Sequence, residues 1–286
     1  MKTKHTAGAD FKSVSINNRN VLPLGQGTWN MGDVDAHRKA ELEALRTDID
    51  LGMTIIDTAE MYGNGRSERL VGEAIQGQRG KVFLISKVLP SNASRQGTIK
   101  ACENSLKRLQ TDYLDMYLLH WQGRYPFEET VEAMLQLRQE GKIRDWGVSN
   151  MDVAEMEEFY SIPGGNTCAA NEVVYNLTRR GIEYDLIPWC RKNNIPVIAY
   201  SPVEQGRLLN HKLLSEIARR HNATPTQIAL AWVIRNPGVI AIPKAVSAKH
   251  VEENFKSLSI ELTEEDLQQI DKVFPAPTRK MPLDML

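Results

Sequence analysis

Met53-Thr54-Ile55-Ile56-Asp57 is a short, almost wholly apolar run that ends on a carboxylate. A run of this length and composition suits a strand buried on both faces, as in a parallel sheet covered by helices. Just before it, Leu42, Leu45 and Ile49 keep the three- and four-residue spacing of a helix that stops at Gly52. Beyond it, the same alternation recurs along the chain. Further strand-like runs lie at residues 82–86, 113–119, 143–148, 169–174, 195–200 and 239–242, with a weaker one at 24–27. Helical patterns separate them. Ile99, Cys102, Leu106 and Leu109 form one, and Val131, Met134, Leu135 and Arg138 form another that ends at Gly141. Asp152 has the placement of a helix N-cap.

Eight such units with no Pro/Gly/Ser-rich linker predict an α/β protein, a single (β/α)8 barrel domain over residues 1–286. An open doubly wound sheet is the competing arrangement. Two segments fall outside the repeat. Residues 11–16 and 20–23 flank Asn17-Asn18-Arg19 and predict a β-hairpin that plugs the bottom of the barrel. Residues 262–273 predict an extra C-terminal helix, with Thr263 as its cap and Glu264 and Glu265 in its first turn.

The composition is that of a folded soluble protein: 42% hydrophobic, 25% charged, net charge −1. No block of about five like charges marks a nucleic-acid or membrane-surface partner. No apolar stretch approaches the ~18 residues of a membrane span. Residues 1–12 have no apolar core of a secretory signal. The three cysteines, Cys102, Cys168 and Cys190, are far apart and form no C-x-x-C pair, which fits a reducing, cytoplasmic setting.

The residues at and just past the strand ends carry the chemistry. Asp57 closes the first run quoted, Lys87 comes after Phe83-Leu84-Ile85-Ser86, and His120 after Met116-Tyr117-Leu118-Leu119. Ser149 and Asn150 come after Trp146-Gly147-Val148, and Lys244 after Ile240-Ala241-Ile242-Pro243. In a parallel barrel these strand ends converge on one face, the face where active sites are built. Only His120 among the histidines stands at a strand end, so no metal-ligand cluster is expected there.

The ordered set Asp57-Thr58-Ala59-Glu60-Met61-Tyr62-Gly63, Lys87, His120-Trp121, Gly147-Val148-Ser149-Asn150 and Ile242-Pro243-Lys244 resembles the aldo-keto reductase superfamily over nearly the whole chain. It is most similar to the short bacterial members that reduce methylglyoxal and other small aldehydes. The resemblance implies NADPH-dependent aldehyde reduction on a barrel that binds NADP(H) without a Rossmann domain. In agreement, Gly25-Gln26-Gly27 is followed by Asn30 where a dinucleotide fingerprint needs its third glycine. A nicotinamide-bound redox sensor or accessory protein on the same fold remains the alternative.

Reducing a carbonyl takes a hydride on carbon and a proton on oxygen. By resemblance Tyr62 gives the proton. A free phenol has a pKa near ~10, so the neighbouring Lys87 ammonium is expected to lower that of Tyr62. Asp57 is expected to hold Lys87 charged, and His120 to donate a hydrogen bond to the substrate oxygen. Trp29 and Trp121 are expected to wall the aldehyde slot.

The resemblance also assigns the cofactor residues. Ser149 and Asn150 match the carboxamide ligands, and Tyr200, with Ser201 after it, matches the ring that stacks on the nicotinamide. Lys244 and Ser247 match the site for the adenosine 2′-phosphate, and Glu253 and Asn254 the adenine clamp. His250 stands where many members carry Arg, and it lacks both the fixed charge and the planar fork of Arg. NADPH is still expected over NADH, by a smaller margin. Glu172 stands where Gln is usual. A protonated Glu there behaves like Gln, whereas an ionised Glu only accepts hydrogen bonds, and a carboxylate there favours the cationic, oxidised ring. That attraction is at most about 4 kcal/mol at about 4 Å and an effective dielectric of about 20.

The loops that close the pocket in the family are short here: residues 122–126, residues 203–209 with Gly206 suggesting mobility, and the tail 275–286. Short loops favour small or varied aldehydes such as methylglyoxal, other 2-oxoaldehydes and aromatic aldehydes. The family habit is a monomer.

Overall fold

The computed structural model describes residues 11–286, so most of the amino-terminal segment considered for a signal lies outside the described residues. Val14–Ile16 (β1) and Arg19–Val21 (β2) pair antiparallel, with Ile16 opposite Arg19. The turn between them is Asn17 and Asn18 alone, both at positive φ (42° and 67°). Two consecutive left-handed residues make the tight hairpin turn that matches strand twist, and Asn tolerates them. Arg19 therefore enters the second strand instead of the turn.

Eight parallel strands come next: Gln26–Gly27 (β3), Ile55–Asp57 (β4), Phe83–Val88 (β5), Leu114–Leu119 (β6), Ile143–Ser149 (β7), Asn171–Val174 (β8), Val197–Tyr200 (β9) and Val239–Ala241 (β10). Each pairs with its neighbour in sequence order. A parallel bridge between Leu24 and Ala241 joins the two outer strands. Three backbone hydrogen bonds support it: Gly25 N to Ala241 O (2.9 Å), Ala241 N to Pro23 O (3.0 Å) and Gly27 N to Pro243 O (3.1 Å). A Cβ on Gly27 would stand 2.8 Å from the Ile242 carbonyl oxygen, so this close approach requires glycine.

Helices Arg38–Leu51 (α1), Arg66–Ala74 (α2), Arg95–Leu109 (α3), Phe127–Gln139 (α4), Val153–Ser161 (α5) and Leu186–Lys192 (α6) connect successive strands through β9. Lys212–Arg220 (α7) and Pro225–Ile234 (α8) lie between β9 and β10, followed by Ala248–Phe255 (α9) and Glu264–Val273 (α10). The sequence explains several boundaries. Gly52 ends α1 in the left-handed conformation. Asp152 with Glu155, Thr224 with Gln227, and Thr263 with Asp266 form capping boxes at the starts of α5, α8 and α10.

The core has two parts. One fills the space between strands and helices and includes Leu45, Val71, Leu106, Met134, Trp146 and Trp232. The other fills the barrel interior, where Ile55, Phe83, Ile85, Met116, Ile198 and Ile240 meet Val14, Ile16 and Val21 of the hairpin. The hairpin therefore plugs the barrel, as its sequence predicts. Arg19 fastens it, contacting Asp115 at 2.5 Å and Asp145 at 2.9 Å, and Asn17 donates to Asp145 at 2.7 Å. With the bottom sealed, the open end is the one where the carboxyl ends of the strands emerge. No described helix is long and apolar enough to cross a membrane.

Candidate active site

Asp57 is the last residue of β4, paired with Ile85, and Lys87 lies two residues beyond that partner on β5. The offset lets the lysine reach across the strand end. Its Nζ donates to Asp57 Oδ1 at 2.5 Å, to the Thr58 carbonyl at 3.1 Å and to the Tyr62 hydroxyl at 3.4 Å. Lys87 is 0% exposed. Tyr62, half-buried, is delivered by the turn after β4. There Gly63, Asn64 and Gly65 all take positive φ. A Cβ on Gly63 would run into the Asp33 carboxylate, which Arg66 holds at 2.7 Å.

His120 comes directly after β6, and its ring meets Tyr62 edge-on, with centroids 5.9 Å apart. Trp121 leans on the same imidazole at 4.7 Å, and Trp29 is 48% exposed. Asp57, Tyr62, Lys87 and His120 thus form one cluster.

Glu172 joins that cluster, a contact the sequence does not announce. It sits on β8 opposite Ser149 and Ile198, and its Oε1 lies 3.3 Å from Lys87 Nζ. Its carboxyl therefore shares the Lys87 ammonium with that of Asp57. Its Oε2 is buried and finds no donor among the described residues.

The electrostatics derive from burial. Desolvation pushes the Asp57 and Glu172 carboxyls upward; Asp57 raises Glu172 further, Glu172 lowers Asp57, and Lys87 opposes the rise of both. Burial alone would depress Lys87, but Asp57 and Glu172 more than offset it and hold the ammonium firmly charged. Burial moves His120 down to about 2, with Lys87 adding to the effect, so the imidazole is neutral. The Tyr62 phenol is raised, not lowered. Burial dominates, Asp57 and Glu172 add to it, and Lys87 opposes them without prevailing. The expected lysine effect is present, but burial outweighs it and sets the sign.

The cofactor residues assigned by resemblance fall into two groups. In the first, the Asn150 amide donates to Ser149 Oγ at 3.0 Å and to the His120 carbonyl at 3.1 Å, and accepts from the Tyr200 hydroxyl at 2.9 Å. Ser149 donates to the Glu172 carbonyl at 2.8 Å. Asn150 and Ser201 both take positive φ (58° and 48°), an uncommon conformation that places each just past its strand. In the second group, Lys244 and His250 are exposed, and Ser247 caps α9 by accepting from the His250 amide. Glu253 is half-buried and Asn254 buried on the same helix.

Two further devices frame the mouth. Glu204, buried in the loop after β9, accepts from Asn176 at 2.7 Å and pairs with Arg179 and Arg207 at 3.1 and 3.0 Å. That loop, expected to be mobile from Gly206, is therefore fastened. The tail folds back to it: Arg179 contacts Asp284 at 3.3 Å, and the Leu286 amide reaches the Tyr200 hydroxyl at 3.4 Å.

Residues 23–274, which hold all the groups of the cluster and the cofactor set, match the aldo/keto reductase family. The chain is an aldo/keto reductase. It is 55% identical to methylglyoxal reductase YeaE of Escherichia coli, with 92% of this chain and 94% of that one aligned. It is 36% identical to glyoxal reductase of Bacillus subtilis, over 80% and 82% of the two chains. An aldo/keto reductase from Klebsiella pneumoniae, solved in complex with NADP and acetate, superposes with a TM-score of 0.95 at 51% identity, covering 96% of this chain and 100% of that one. Family membership makes this aldo/keto reductase an oxidoreductase.

The residues present fit a phosphorylated dinucleotide. An exposed lysine, Lys244, precedes the capped N-terminus of α9, a combination whose chemistry suits a phosphate. At the other end, the unpartnered Glu172 Oε2 offers an acceptor to an amide N–H.

Proposed function

We propose that this aldo/keto reductase reduces small aldehydes, 2-oxoaldehydes foremost, to alcohols with NADPH, and that Tyr62 is the proton donor. The observation that carries this reading is the single Lys87 ammonium touching both the Asp57 carboxylate and the Tyr62 hydroxyl at the open end of the barrel. The relatives named for methylglyoxal and glyoxal support the substrate class.

The bound nicotinamide supplies a hydride to the carbonyl carbon. Tyr62 stays protonated through the neutral range because burial raises its pKa, so it is always loaded as an acid. Its proton moves only as the substrate oxygen gains negative charge and becomes the stronger base. The phenolate left behind faces the Lys87 ammonium, which stabilises it at the moment it forms. Because His120 is neutral and its Nδ1 is buried without a partner, we assign its proton to Nε2, the nitrogen left to donate to the substrate oxygen. Trp121 backs that imidazole and, with Trp29, borders the aldehyde slot. Ser149, Asn150, Tyr200 and Ser201 hold the nicotinamide end, and Lys244, Ser247, His250, Glu253 and Asn254 the adenosine end. We further propose a monomeric, one-domain cytoplasmic protein, in keeping with three buried free cysteines.

Initial rates with methylglyoxal, glyoxal and aromatic aldehydes, each with NADPH and NADH and with a chelator, test the reading. NADPH-dependent, chelator-indifferent turnover is expected. Tight NADPH binding with no turnover of any aldehyde would replace it with the sensor alternative.

A further inference from the structure

The cluster around Lys87 has one more acid than its single cation needs. Asp57 and Glu172 are both 2% exposed, and both contact the same ammonium. The other titratable groups facing them are Tyr62 from the turn after β4, His120 from the end of β6 and Tyr200 from β9. None of these supplies a second positive charge. Two ionised carboxylates sharing one buried ammonium repel each other. The repulsion is relieved when one of them keeps a proton. Asp57 has the shorter contact with Lys87, which leaves the proton on Glu172.

We infer that Glu172 is the proton store of this site, reloading Tyr62 through Lys87 after each reduction and becoming a carboxylate when the neighbouring ring is oxidised. The inference rests on the function proposed above. The steps balance. The Tyr62 O–H bond breaks as the alcohol O–H bond forms. Lys87 passes an N–H proton 3.4 Å to the phenolate oxygen, and Glu172 returns one to Lys87 across 3.3 Å. Tyr62 and Lys87 end unchanged, Glu172 has lost one proton, and the hydride carries two electrons to the substrate carbon. The new carboxylate balances the positive charge gained by the oxidised ring. When the oxidised cofactor leaves, Glu172 takes a proton from water. Glu172 is therefore a positioning residue that acts through Lys87, not the donor to substrate.

The charge matching has a signature that needs no turnover. Titration calorimetry of the wild-type protein with NADP+ and with NADPH, in two buffers of different ionisation enthalpy, counts the protons exchanged on binding. NADP+ is expected to release close to one proton more than NADPH at neutral pH. The 2′-phosphate and His250 cancel in this difference, since both cofactor forms carry the same adenosine end. The NADP+ Kd should fall up to tenfold per pH unit where Glu172 titrates, and Glu172→Gln should abolish both effects while still binding NADPH. Equal proton counts for the two forms, or an unchanged difference in Glu172→Gln, would overturn the inference. Should the variant not fold, the wild-type count alone decides. Failure of both cofactor forms to bind would instead strike at the proposed function.

Discussion

Lys87 Nζ stands 3.4 Å from the Tyr62 hydroxyl and 2.5 Å from Asp57 Oδ1, so one buried ammonium links a carboxylate to a phenol. Tyr62→Phe keeps the ring and its packing and deletes only the acid. It is expected to lower kcat by about 10²–10⁴-fold, the range of a general acid, while the NADPH Kd stays within about threefold. Stopped-flow hydride transfer and fluorescence titration measure the two. Near-normal turnover would remove Tyr62 from its role.

Lys244 is an exposed cation beside the start of α9, where Ser247 and His250 lie. Lys244→Ala is expected to raise the NADPH Kd about tenfold, roughly 1.4 kcal/mol, and to leave NADH nearly unaffected. His250→Arg should widen the preference for NADPH, because Arg is always charged and can bind phosphate with two parallel hydrogen bonds. If both cofactors weaken equally, the lysine supports the helix and not the phosphate.

At the sealed end of the barrel, Arg19 bridges Asp115 and Asp145. Asp115 keeps a second partner, Arg79 at 2.7 Å, so losing Arg19 leaves mainly Asp145 short of a cation. Arg19→Met is expected to cost about 1–3 kcal/mol and to leave kcat/KM within about twofold, because catalysis belongs to the other face. Urea unfolding and steady-state rates check this. A tenfold loss of kcat/KM without unfolding would show that the plug shapes the site.

Asp266 ties α10 to α7. Its carboxylate contacts Arg220 at 2.5 Å and His221 at 2.7 Å, and it accepts from the Thr263 amide and hydroxyl. Burial raises its pKa, but these partners more than offset that and hold it well below the usual range. A depressed carboxyl stabilises the fold above its unfolded pKa of about 3.9, and the contribution fades as pH falls below that value. Asp266→Asn should therefore cost about 2–3 kcal/mol at pH 7, and less near pH 3. A constant deficit across that range would mean that packing, not charge, holds the corner.

Much of this was legible in the residues. Apolar runs that end on Asp57, Lys87 and His120 fix both the strands and the face on which they meet, because parallel strands put their ends together whatever the loops do. Gly52 and Thr263 mark helix ends by local chemistry. What was not legible depends on side-chain reach between non-adjacent strands. Glu172 is flagged by its residue type, yet its contact with Lys87 needs the register of β4 through β8. The direction of the Tyr62 shift fails for the same reason, since a single favourable neighbour is visible in sequence and the burial is not. Helix α7 arises in the long β9–β10 connection, where no repeat pattern constrains the chain, and the Glu204–Arg179 pair ties that connection to the one between β8 and α6.

The folded-back tail bears on how the protein is handled. Leu286 lies against the Tyr200 hydroxyl, and Lys280 reaches Asp152 and Asp185 at 3.6 and 3.7 Å. Anything joined after Leu286 emerges at the rim of the catalytic mouth, where an affinity tag or fusion partner would compete with incoming aldehyde. A tag placed ahead of the β1–β2 hairpin is the safer choice for kinetics, because it precedes the element that seals the opposite end.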